Sequence, residues 1–135
     1  MVKSKIFNNF LFRTDFDIIG DFDFFLKLST SGEIKCIQEP LAVHRLHGSN
    51  LSTLKIDQFI LELSSWIEAN KDHQLYKKYD FSGVSLFLQC LKIKKHILER
   101  SLLDAVKEIF KGPLSVRKLK FIRFLFLPVS SLSKA

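Results

Sequence analysis

Apolar side chains recur at three- and four-residue steps through the second half of the chain, and this period constrains the fold more than any other feature. The first such stripe contains Leu54, Phe59, Ile60, Leu63, Trp66 and Ile67. This spacing is typical of an α-helix with one face turned to a core. The sequence therefore predicts a helix that begins near Ser52, as its N-cap, and runs to about Ala69.

Three further helices are predicted after a polar link at residues 70–80. They begin at Asp80 or Ser82, at Ser101, and at Ser115. The helix from Ser101 should end near Lys111, because Gly112 and Pro113 both stop helices. Residues 53–135 are thus expected to form a helical tail of about four helices.

Residues 1–52 have a different pattern. A short helix is predicted from Asp21 to Ser29, with Gly20 or Asp21 near its N-cap. The apolar run Ile34–Ile37 and the alternating run Leu41–His47 favour strands. The predicted fold class is therefore α+β and helix-rich: two or three short strands in residues 1–52, followed by the helical tail in 53–135.

The charge of the chain is concentrated at one end. The formal net charge is +7. Residues 1–91 hold 10 Lys and Arg against 11 Asp and Glu, which gives −1, whereas residues 92–135 hold 11 against 3, which gives +8. A basic surface in the last third calls for an anionic partner or for water.

Several classes of protein are disfavoured by the sequence. Cys36 and Cys90 are too few and too far apart for a disulfide framework. The start of the chain has no apolar core typical of a secretory signal, and the longest apolar stretch, Phe124 to Val129, is too short to span a membrane. These features predict a cytoplasmic protein, either soluble or peripheral on the inner face of the cell membrane.

Four acidic residues, Asp15, Asp17, Asp21 and Asp23, invite comparison with a calcium-binding loop. A loop that starts at Asp15 would place Ile19 at the fifth ligand position and Leu26 at the twelfth, where a bidentate glutamate is needed. The calcium interpretation therefore fails. A purely structural role is also open for two of these acids. Asp21 could satisfy free N–H groups at a helix start, and Asp23 could be a solvated acid of the first turn.

The order of motifs across residues 6–52 offers a second interpretation. It runs through Gly20-Asp21-Phe22-Asp23, Leu26-Lys27-Leu28, Ser31-Gly32, Ile34-Lys35-Cys36-Ile37, Glu39-Pro40-Leu41 and His44-Arg45-Leu46-His47-Gly48-Ser49-Asn50-Leu51-Ser52. This order resembles the acceptor-side part of family 2 glycosyltransferases, enzymes of the GT-A fold. Gly20 stands where that family usually has its first acid, and His44 replaces its usual tyrosine. The family's nucleotide-binding half, which carries an Asp-x-Asp metal site, normally precedes this region and has no counterpart in the sequence.

The resemblance implies roles for individual residues. Asp21 would be the general base that takes the proton of the acceptor hydroxyl. Asp23 and Arg45 would support the site or contact the acceptor, and Arg45 would suit a phosphate or a carboxylate such as Glu39. His47 would help to coordinate a divalent cation, Mn²⁺ or Mg²⁺, held mainly by the absent half. A histidine that hydrogen-bonds the loop Gly48-Ser49-Asn50 explains His47 nearly as well.

The resemblance predicts an inverting transfer of a sugar from a nucleotide-sugar donor to a glycan or lipid-linked acceptor. The chain would then be a partial enzyme that works with a separate N-terminal half. The alternative is a non-catalytic helical module, derived from a truncated glycosyltransferase, that binds a partner or a membrane. A basic amphipathic helix over residues 115–127 would suit an anionic membrane surface, or would simply pack as a terminal helix. The sequence contains no nucleic-acid-binding module.

Overall fold

The computed structural model describes residues 6–7, 10–35, 37–43, 54–112 and 115–122. The described helices are α1 (Gly20–Ser31), α2 (Ile56–Asn70), α3 (Ser82–Leu98), α4 (Leu102–Phe110) and α5 (Val116–Leu119). The chain divides into two compact units, Met1–Arg45 and Leu46–Ala135. Unit 1 contains α1, and unit 2 contains the other four helices.

The predicted α+β class is wrong, because the described residues form helices and no strand. The described parts of the two predicted strands, Ile34, Lys35, Ile37 and Leu41 to Val43, adopt no regular structure and are exposed. A strand is stable only when a neighbouring strand pairs with its N–H and C=O groups, and the described part of unit 1 offers none. Alternating apolar residues are therefore not sufficient to form a strand in this part of the chain.

Unit 1 is organised around aromatic side chains that surround the start of α1. Phe24 is buried and stacks on Phe12 and Phe7, with ring centroids 4.3 and 5.7 Å away. Phe25 meets the Phe24 ring edge-on at 5.5 Å. Ile19, the N-cap residue of α1, is buried as well. This small core fixes the first turn of α1, where Asp21 and Asp23 lie.

Three helices of unit 2 agree closely with the predicted ones, whereas α5 ends at Leu119 and residues 120–122 of the helix predicted over 115–127 are not α-helical. Helix α2 ends at Asn70, and α3 begins at Ser82, where the Asp80 carboxylate accepts the Ser82 N–H at 2.8 Å. Helix α4 ends before Gly112, whose φ of +69° is readily adopted only by glycine. The predicted N-cap Ser52 lies outside the described residues.

Two apolar clusters hold unit 2 together. Trp66 of α2 stacks on Phe81 at 5.8 Å and packs against Tyr76 at 5.7 Å. The other cluster joins α3 to α4 through the buried side chains of Ile93, Ile97, Ala105 and Ile109. An ion pair between Lys95 and Asp57 also connects α3 to α2.

Helix α5 is anchored by a buried lysine. Its N-cap, Ser115, accepts the Lys118 N–H at 3.3 Å, as predicted for a helix that starts there. The Lys118 side chain is fully buried, and its Nζ donates to the carbonyl oxygen of Lys111 at 2.5 Å. Because Lys111 is the C-cap of α4, the ammonium group lies at the negative end of that helix. A basic amphipathic helix over residues 115–127 would have placed Lys118 on its polar face, whereas this lysine is buried.

None of the described helices is both long enough and apolar enough to cross a lipid bilayer.

Candidate functional site

Asp21, the candidate general base, lies in the first turn of α1 with an exposed side chain. Its Oδ1 accepts the backbone N–H of Phe22 at 2.7 Å. That N–H is one of the groups at a helix start that have no partner within the helix. Among the described residues, none donates to the second oxygen, Oδ2. The carboxylate is thus held at one oxygen, on a side chain that is exposed.

Asp23 has a very different environment, although it is only two residues away. Its side chain is 1% exposed, and its Oδ2 accepts a hydrogen bond from Lys27 Nζ at 2.7 Å. Lys27 lies one turn later on α1, a spacing that brings opposite charges together. Asp23 is therefore a buried, paired acid rather than a solvated one. Its ion pair with Lys27 stabilises the first turns of α1, the helix that also carries Asp21.

A second ion pair lies just before α1. The Arg13 guanidinium donates from Nε to Asp15 Oδ1 at 2.9 Å and also pairs with Oδ2, while the Arg13 guanidinium carbon lies 4.2 Å from the centre of the Phe16 ring. Hydrogen bonding to Asp15 raises the pKa of Arg13, to which the negative charge of Asp23 also contributes. The hydrogen bond from Arg13 lowers the pKa of Asp15, and the charge of Lys27 adds to this. The two pairs thus form one charged cluster around the start of α1.

The Asp15 titration is a direct test of this cluster. Asp15 should titrate below its ordinary value of about 3.9, and Arg13→Gln should bring its pKa back toward that value. Because the folded-state pKa is the lower one, the pair stabilises the fold above the unfolded-state pKa and loses this effect as pH falls through the folded-state pKa. The contribution to stability should be small, since the pair is exposed. A carboxyl carbon NMR titration of the wild type and of Arg13→Gln would measure the Asp15 pKa in each, and equal values would contradict the pairing.

The other predicted site residues cannot be placed. Arg45 and His47 lie outside the described residues, as does His44. In the described part of the chain, no three His, Cys, Asp or Glu side chains come together in a group that could hold a metal ion. The expectation that Mn²⁺ or Mg²⁺ is held mainly by another half of the enzyme stays a prediction.

Sequence reasoning named Lys27 only as part of a motif and gave Arg13 no role. The spacing of Asp23 and Lys27 at i and i+4 was the available signal for the first pair. No such spacing signal indicated the Arg13–Asp15 pair, because both residues precede the helix and pair through a turn.

Comparisons with protein-family models, curated proteins and solved structures returned no match.

Proposed function

We propose that this chain is the acceptor-side part of a family 2-like glycosyltransferase, in which Asp21 is the general base. The observation that supports this most directly is the contrast between the two acids of α1. Asp21 is exposed and accepts the Phe22 N–H at one oxygen, whereas Asp23 is buried against Lys27. A base must reach its substrate and must be held in place, and the first turn of α1 meets both requirements.

In the proposed reaction the acceptor hydroxyl donates its proton to Asp21 Oδ2 while its oxygen attacks the anomeric carbon of the donor sugar. The new glycosidic bond forms as the bond to the nucleoside diphosphate breaks, and the configuration at that carbon inverts. A divalent cation, when bound, would neutralise the charge that develops on the departing diphosphate. The hydrogen bond from the Phe22 N–H to Oδ1 would hold the carboxylate in one orientation during proton transfer.

The remaining roles follow from the same resemblance. Arg45 would contact the acceptor or a phosphate, and His47 would complete the cation's coordination. The nucleotide-sugar would bind chiefly to a separate nucleotide-binding half. The exposed apolar side chains of Ile34, Ile37, Leu41 and Val43 would be suited to contact with that half. The proposed location is the cytoplasm, where nucleotide sugars would be available.

A thermal melt of the purified chain with ligands tests this proposal. Nucleotide sugars, with and without Mn²⁺, and alkyl glycosides as acceptors should be added separately and together. A ligand at one hundred times its Kd stabilises the folded state by about 2.7 kcal/mol, which raises the midpoint by several degrees. We expect acceptor glycosides to raise it, and a Mn²⁺-dependent rise with one donor would identify the sugar.

A cooperative melt that no acceptor glycoside changes would contradict the proposal. It would favour the alternative, a non-catalytic helical module that binds a partner or a membrane. Absence of a donor effect alone would fit a donor site on the separate half. Glucose and glycerol at matched concentration are suitable controls, because they change solvent properties without supplying a specific ligand.

A further inference from the structure

Helix α4 carries more apolar surface than the core of unit 2 covers. Ala105 and Ile109 are fully buried against α3. Beside them lies a set of exposed apolar side chains, here called the α4 stripe: Leu102, Leu103, Val106 and Phe110. At about 100° per residue, these four positions fall in one continuous arc on the helix surface. Leu103 is 79% exposed and Phe110 is 61% exposed, so the arc is open to solvent.

Basic side chains border this stripe. On the helical wheel Lys107 lies next to Leu103, and Lys111 directly follows Phe110. Each is paired with an acid of α4, with Nζ–O distances of 3.1 Å to Asp104 and 3.7 Å to Glu108.

Further positive charge follows in and after α5. Arg117 and Lys120 are exposed, and neither has an ion-pair partner among the described residues. The whole segment 92–135 has a charge of +8 from 11 basic and 3 acidic residues. The apolar arc thus belongs to a strongly basic segment of the chain, to which an anionic surface would be attracted.

We propose that the α4 stripe inserts into the headgroup layer of an anionic lipid membrane, with Arg117 and Lys120 supplying the electrostatic attraction. Aliphatic side chains beside cations are the combination that interfacial helices use. This proposal does not depend on the glycosyl transfer proposed above. It places the insertion on α4, whereas the sequence had suggested the helix at residues 115–127, of which 123–127 lie outside the described residues.

Two other occupants fit less well. A second copy of this chain, related by a two-fold axis, would bring the basic region against its own image and create like-charge repulsion. A nucleic acid would match the charge, but the stripe offers Phe110 as its single aromatic ring for base stacking. An anionic lipid surface offers an apolar layer for the α4 stripe and negative charge for Arg117 and Lys120.

The test is co-sedimentation of the full chain with phosphatidylcholine vesicles, with and without phosphatidylglycerol, at low and high salt. The chain should bind only the anionic vesicles, and high salt should weaken binding. Leu103→Ser/Phe110→Ser should lower the partition coefficient at least about tenfold because apolar burial is lost. Arg117→Gln/Lys120→Gln should lower it about tenfold or more at low salt.

Leu61→Ser is the matched control. Leu61 is 68% exposed on α2, on a face whose acids Asp57 and Glu68 are paired with Lys95 and Lys71. In the described part of unit 2, that face has no unpaired cation to attract an anionic membrane, so the partition coefficient should not change. All the replaced side chains are exposed, and the melting midpoints of the variants should match the wild type.

Contact between the α4 stripe and lipid can be measured directly, without relying on the loss of vesicle binding in the variants. Phe110→Trp should be quenched by brominated lipids in anionic vesicles, whereas Leu61→Trp should show only the background from Trp66. Equal quenching of the two would overturn the proposal.

Two other results would also overturn it. One is unchanged binding of the stripe variant together with lost binding of Phe124→Ser/Phe126→Ser, which would locate the docking surface further along the chain. The other is absence of vesicle binding together with a dimer, seen by sedimentation velocity, that the stripe variant abolishes. That result would identify a second copy as the occupant.

Discussion

Replacing Asp21 with asparagine should lower the turnover number for sugar transfer by about 100- to 10,000-fold, the range expected when a general base is removed. Asparagine keeps the shape of the side chain and an oxygen that can accept the Phe22 N–H. It cannot take the acceptor proton. The KM for the nucleotide sugar should therefore stay unchanged, and only turnover should fall. The measurement is a steady-state transfer assay, with the nucleotide-binding half supplied where the chain requires it.

Asp15→Asn is the matched control for this experiment. Asp15 is also an exposed acid of unit 1, a few residues before Asp21 and paired with Arg13. If loss of one negative charge near α1 were enough to slow transfer, both variants would be slow. We expect Asp15→Asn to keep wild-type turnover. Undiminished turnover in Asp21→Asn would show that another group is the base, and a matching thermal midpoint would rule out misfolding as a cause of any loss.

The helices of unit 2 were predictable because their signals are local. The three- and four-residue spacing around Trp66 and the stop at Gly112 depend only on neighbours along the chain. A strand depends on a partner that is distant in sequence. The runs at Ile34 and Leu41 had the right alternation, but alternation does not reveal whether a partner exists. That is why the predicted sheet was wrong while the three longer helices of unit 2 were right.

The same distinction applies to the site. The sequence placed Asp21 and Asp23 at a helix start, and they lie there. It did not reveal which acid is buried, because burial depends on which other segments of the chain pack against α1. The burial of Lys118 also could not be predicted, since the carbonyl that it binds belongs to the end of another helix.

Which part of the apolar arc of α4 meets the core likewise depends on the packing of α3 against it. Periodicity predicted a helix near residues 101–111, and the helix exists. It did not predict that Ala105 and Ile109 would take the buried positions and leave Leu103 and Phe110 exposed. An apolar pattern wider than the core requires is recognisable only once the neighbouring helix is in place.

Trp66→Ala should reduce the free energy of unfolding of unit 2 by about 3–5 kcal/mol, the usual cost of removing a large buried aromatic side chain. Trp66 is 2% exposed and contacts the rings of Tyr76 and Phe81, so its loss leaves a cavity between α2 and the start of α3. Domains are commonly stable by only about 5–15 kcal/mol, and such a loss would shift the urea midpoint strongly. Circular dichroism should follow unfolding, because the variant has no tryptophan.

Two controls separate the cavity from other effects of the substitution. Trp66→Phe keeps an aromatic ring against Phe81 and should cost clearly less than the alanine variant. Leu61→Ala removes an exposed side chain from the same helix and should change stability by no more than about 0.5 kcal/mol. If Trp66→Ala were as mild as Leu61→Ala, the aromatic cluster would not be the core that joins α2 to the link before α3. A large loss for Trp66→Ala with a mild Trp66→Phe would show that the aromatic cluster stabilises that junction.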